Sequence, residues 1–177
     1  MRKTVFTKHL ENASEEELRQ ELAKLFDSYK EVKELYAMEL GSTADRQKIY
    51  DQAKKKIAKF YERFKTRARQ TKVNEIIKHL DGISIFDHEL ADLYLFHAEQ
   101  VIDWLNYFTI RPVEWRSFTK SFKRGLELVL KSMSEDEFKE RIYTIVDKSD
   151  CGWDTQPEAI ELVDSILGND FLVDKTS

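Results

Sequence analysis

Cysteine occurs once in the 177 residues, proline twice and glycine five times. A lone thiol, Cys151, has no internal partner, so a disulfide scaffold is excluded. So few prolines and glycines exclude collagen-like, sandwich-like and low-complexity chains. Scattered glycines supply neither a G-x-G-x-x-G turn nor a P-loop, which argues against nucleotide hydrolysis. No apolar run approaches the ~18 residues of a membrane-spanning helix. The opening Met1 to Leu10 lacks the apolar segment of a secretory signal, and the expected compartment is a reducing cytoplasm.

What the chain does contain is 41% hydrophobic and 35% charged residues, a balance that favours long, charged helices. Its net charge of -4 conceals a strong asymmetry, because residues 54–72 hold nine cations and one anion while residues 134–177 hold four cations and twelve anions.

Apolar periodicity and capping signals predict eight helices. Ser14 with Glu17 reads as a capping box that opens the first, over about 14–26. A second follows over about 28–40, closed by Gly41 as a left-handed cap. The third runs from about Ala44 into the sixties, with Ile49, Ala53, Ile57, Phe60, Tyr61 and Phe64 on one face and charge around the rest. A short fourth helix through Val73, Ile76, Ile77 and Leu80 ends at Asp81-Gly82. Asp87 is placed to cap a fifth, the most apolar and therefore central, through Leu90 to Phe108. Pro112 suits the first turn of the sixth, whose core face includes Trp115, Phe118, Phe122, Leu126, Val129, Leu130 and Met133. Ser134 with Glu137 reads as a second capping box, and Pro157 opens the last helix, closed by Gly168. Short connections make consecutive helices antiparallel neighbours. The expected fold is all-α: antiparallel hairpins in a compact bundle or short solenoid, as a single helical domain over residues 10–168 with 1–9 and 169–177 as flexible ends.

Leu18 to Leu25 with Lys30-Glu31-Val32-Lys33-Glu34, Asp92-Leu93-Tyr94, Phe138-Lys139-Glu140-Arg141 and Ser149-Asp150-Cys151-Gly152-Trp153 form a set spread over about residues 10–168. In these segments the chain resembles a family of small all-helical bacterial proteins known as a domain of unknown function. The resemblance implies an all-helical domain and brings no catalytic residues.

Among local signals the basic stretch is the strongest. On the third helix Lys48, Lys55, Lys59 and Arg63 fall in one strip, and Arg67 and Arg69 extend it, so Lys55, Lys59, Arg63, Arg67 and Arg69 are the candidate anion-binding residues. Phe60 and Phe64 lie on the apolar side and are not a stacking platform for bases. The competing reading is a solvated face that attracts the acidic 134–177 segment of the same chain or of a partner.

His88-Glu89-Leu90-Ala91-Asp92 is similar to a metalloprotease helix with its second histidine replaced by aspartate. Its ordinary reading is a polar outer face that continues through Glu99 and Asp103. His97, among inward-facing apolar residues, reads as a hydrogen-bonded core residue rather than a general base. Cys151 has no histidine nearby, and Asp150 opposes thiolate formation. Its segment reads as a turn in which Gly152 permits a positive φ, Asp150 accepts backbone amides and Trp153 packs back over the preceding helix. No catalytic residue, metal or cofactor is expected. The expected function is a non-enzymatic interaction module for a protein partner, with nucleic acid or another polyanion on the basic third helix as the alternative.

Overall fold

A computed structural model describes residues 2–62, 69–108, 112–152 and 155–172. Among the described residues there are nine helices and no strand: α1 (Lys3–Asn12), α2 (Glu15–Ser28), α3 (Lys30–Leu40), α4 (Thr43–Tyr61), α5 (Gln70–Ile83), α6 (Asp87–Leu105), α7 (Pro112–Lys131), α8 (Glu135–Lys148) and α9 (Thr155–Leu167). The all-α expectation holds, with one helix more than periodicity foretells, because α1 occupies a stretch read as a frayed end. No helix of the described residues is long and apolar enough to cross a membrane. The chain divides into two compact units, Met1–Arg46 and Gln47–Ser177.

In the first unit the Ser14 capping box forms as read: Glu17 N donates to Ser14 Oγ at 3.3 Å, and Ser14 N donates to the Glu17 carboxylate at 2.7 Å. Gly41 is not left-handed, since its φ is -73°. Glycine is needed there for another reason: a Cβ would collide with the Ala37 carbonyl oxygen.

In the second unit α6 and α7 make the most extensive helix pair. Lys131 meets Asp87, Gly125 meets Leu95 and Ser121 meets His97, so the two run antiparallel. Tyr50–Ser84 and Lys54–Asp92 set α4 parallel to α6, and the partners of Arg141 and Lys148 set α8 parallel to α6. Consecutive helices therefore alternate in direction, as short connections require. The centre is α6, with Leu93, Leu95, Ala98, Val101 and Ile102 fully enclosed against Phe118, Phe122, Leu126 and Val129 of α7. Gly125 sets the closeness of that pair: a Cβ on it would lie 2.8 Å from Leu95 Cδ2.

Several helix ends differ from their sequence reading. α5 continues through Gly82 to Ile83. Asp87 is the first residue of α6, whose N-cap is Phe86 without a side-chain cap, and the Asp87 carboxylate pairs with Lys131 at 2.8 Å. The second capping box does not form. Ser134 is committed to the end of α7: its amide donates to Val129 O at 3.1 Å and that of Met133 to Leu130 O at 3.2 Å, a Schellman closure with Met133 at φ 50°. The helix has already ended at Lys131, which takes Met133 out of the helical period, and both Leu130 and Met133 are exposed rather than core. Gly168 does have the positive φ expected of a closing glycine, at 96°.

Gly125→Ala is expected to lose about 1–3 kcal/mol by overpacking against Leu95. Met133→Gly, relieving a left-handed non-glycine residue, is expected to gain up to about 1 kcal/mol. Urea unfolding of both variants measures the opposite signs.

Candidate functional site

The basic stretch is split by the fold. α4 ends at Tyr61, so its helical strip ends there too. Lys55 and Lys59 are exposed on α4, whereas Arg69 lies at the N-cap of α5 and does not extend the α4 strip. Arg63 and Arg67 lie outside the described residues. Lys54 turns inward and pairs with Asp92. The acid it meets is on α6, not in the 134–177 segment.

Asp92 is shared. Arg141 Nη1 donates to its other oxygen at 2.5 Å, and the same guanidinium donates to Glu99 through Nε at 2.6 Å and Nη2 at 2.9 Å. Burial pushes the Asp92 carboxyl up, but its bonds and charges to Lys54 and Arg141 outweigh burial and hold it below the usual carboxylate range. Lys148 continues the row to Asp103 at 2.8 Å. The face of α6 read as an outer polar surface is thus an interhelical ionic seam. A face that is polar by periodicity still meets neighbours when α4 and α8 lie against it. His88 is not paired with Asp92 either; its Nε2 lies 2.9 Å from Glu137. Among the described residues no three His, Cys, Asp or Glu side chains converge as a metal site would need.

His97 is fully buried, as its apolar neighbours predict. Its Nδ1 lies 2.7 Å from Ser121 Oγ on α7 and its Nε2 2.9 Å from the Tyr61 hydroxyl on α4. Tyr61 donates onward to Gln70 Oε1 at 3.2 Å, and Ser117 Oγ donates to the same oxygen at 2.9 Å. With the Tyr61 proton given to Gln70, the imidazole donates from Nε2 and accepts from Ser121. Burial pushes the His97 pKa down to about 4, so the ring is neutral at physiological pH. It also pushes the Tyr61 hydroxyl up, against the bond to Gln70. A neutral imidazole with both nitrogens occupied ties α4, α6 and α7 together and has no lone pair free for a substrate proton. Periodicity found His97; its partners on other helices carry no local signal.

The Cys151 thiol is pushed up to about 11 by burial and by the charge of Asp150, so it stays protonated at neutral pH. Gly152 has the positive φ expected of it, 87°. Trp153 lies outside the described residues. The side chain that holds this turn is one the sequence reading missed: buried Thr155, whose Oγ1 lies 2.5 Å from Ser149 O and 2.8 Å from Gly152 O and accepts from Cys151 N at 3.3 Å. Serine or threonine at a helix start was the available signal.

In the first unit, α1 and α2 contain no buried residue. His9 and Glu21 hold them side by side at 2.9 Å. Phe6 and Leu10 on α1, and Leu22, Leu25 and Phe26 on α2, are all exposed, with Leu22 at 50%. On α2 these positions share one helical face with Leu18.

A helical protein whose polar interior ties and ionic seam serve packing is the class that this fold and these groups define. The chain belongs to a family of unknown function, DUF6155, whose sequence model matches residues 1–166. No curated protein and no solved structure matches it.

The His97 contribution to stability is expected to fall as pH drops from about 6.5 to about 4, because the unfolded chain takes up a proton on His97 that the folded chain refuses, and to level off below that window, where protonation of Asp92 takes over; the full His97 effect is about 3 kcal/mol. Urea midpoints against pH for the wild type and His97→Gln measure this, since the variant loses that component of the slope. Thr155→Val is expected to cost about 1–3 kcal/mol by stranding the turn's backbone groups, with Thr155→Ser close to wild type in thermal melts.

Proposed function

We propose that this chain is a non-enzymatic, cytoplasmic helical interaction module that binds a protein partner through the apolar face of α1 and α2. The observation that carries the reading is the exposure of Phe6, Leu10, Leu22 and Leu25 on two helices without a buried residue, beside Phe26, whose ring meets Tyr36 and Lys33 of α3. Around that stripe α2 is acidic, with Glu15, Glu16, Glu17, Glu21 and Asp27 against Arg19 and Lys24. The partner that fits is a basic amphipathic helix, whose apolar residues cover the stripe and whose cations meet the carboxylates. Neutral, fully bonded His97 and protonated Cys151 support the non-enzymatic half of the proposal.

Exposed Lys55, Lys56 and Lys59 on α4 favour a second reading, in which the chain binds nucleic acid or another polyanion.

Affinity capture from the native cell at low and moderate salt, with protein and nucleic acid both identified and contacts mapped by crosslinking, separates the two. Wild type is expected to retain a protein at moderate salt through a basic amphipathic helix crosslinked to α2. Phe6→Asp/Leu22→Asp, with an unchanged melt, is expected to lose it. Equal capture by the variant, or recovery of salt-sensitive nucleic acid alone, overturns the module in favour of the second reading or neither.

A further inference from the structure

One cleft in the second unit carries cations on both of its walls. It has a volume of about 270 Å³ and opens between α5, α6 and α7. Positions 70, 74, 77 and 78 of α5 line one wall and positions 113, 116, 117, 120 and 121 of α7 the other. Each set is a single helical face, so both walls are presented whole. Three of the lining residues are cations, Lys78, Arg116 and Lys120, and no acid lines the cleft among the described residues. None of the three has a salt-bridge partner among the described residues, whereas Arg124, one turn further along α7, is paired with Asp81.

Converging cations without counter-charges cost electrostatic energy that a bound anion relieves. The α5 wall also carries Gln70, held by its neighbours. The Gln70 amide oxygen is occupied by Tyr61 and Ser117, which fixes the orientation of the amide. Its Nε2 is consequently a buried donor without a partner. Ile77, Val113 and the Tyr94 ring supply apolar wall beside the charges.

We propose that this cleft binds a small organic phosphate. The dianionic head lies against Arg116, Lys120 and Lys78, and the organic body rests on Ile77, Val113 and Tyr94. Three cations match a dianion better than a single carboxylate. The inference is independent of the protein-partner reading, which concerns the other unit.

Calorimetric titration of the full chain with phenyl phosphate, inorganic phosphate and benzoate tests it. Phenyl phosphate is expected to bind saturably, with a Kd below about 1 mM. Inorganic phosphate, lacking the ring, and benzoate, carrying one charge, are expected to bind at least about tenfold more weakly, and added salt to weaken all three. Arg116→Ala/Lys120→Ala replaces two exposed side chains and is expected to keep the wild-type melt while weakening phenyl phosphate at least about tenfold. Gln70→Glu, which places a carboxylate in the α5 wall, is expected to weaken it as well. Absence of saturable binding, equal binding by the double variant, or benzoate or inorganic phosphate binding as tightly as phenyl phosphate overturns the proposal.

Discussion

Close approach of α6 and α7 is the constraint on which the second unit depends. Because Gly125 offers only a hydrogen where the Leu95 side chain lies, the two backbones come near enough for Phe118, Phe122, Leu126 and Val129 to enclose the apolar face of α6. The same proximity brings Ser121 within hydrogen-bond distance of His97. From that ring the tie continues through Tyr61 to α4 and through Gln70 to α5. Apolar packing thus sets the distance at which the polar chain closes. The polar chain, once closed, admits one rotation of each helix.

Features governed by local chemistry were legible in the sequence. The Ser14–Glu17 box needs only its own four residues, and it forms. Gly152 and Gly168 sit in turns whose backbone asks for positive φ, and they adopt it. The central place of α6 followed from its apolar density alone. Signals that looked alike but depend on a neighbour misled. Ser134–Glu137 has the pattern of Ser14–Glu17, yet Ser134 is held by the closing turn of α7 and Glu137 faces His88. Asp92 and Glu99 have the spacing of a wetted face, and that face meets α4 and α8 instead. Helical period reports which residues share a side, not what that side encounters.

The charged groups carry the same lesson. Density of lysine and arginine drew attention to residues 54–69, where the chain is locally most basic. Once folded, Lys54 is spent on Asp92 and Arg69 leaves the α4 strip. The cations that converge without acids, Lys78, Arg116 and Lys120, come from two helices well apart in sequence and from stretches of ordinary charge. Only Arg116 and Lys120, four residues apart on α7, left a trace in the sequence, and that trace is common on any amphipathic helix.

The fork of Arg141 has a consequence for how α8 is aligned on α6. It spans Asp92 and Glu99, seven residues or about 10.5 Å along α6. Sliding α8 by a single turn would strand Glu99 in a half-covered place and leave Asp92 with Lys54 alone, whereas aliphatic side chains would mesh almost as well one turn over. Choice of alignment therefore belongs to the charged seam rather than to the oily interior. Ile142, Ile145 and Val146 along α8 supply burial, and the guanidinium supplies the register in which the rods are stacked.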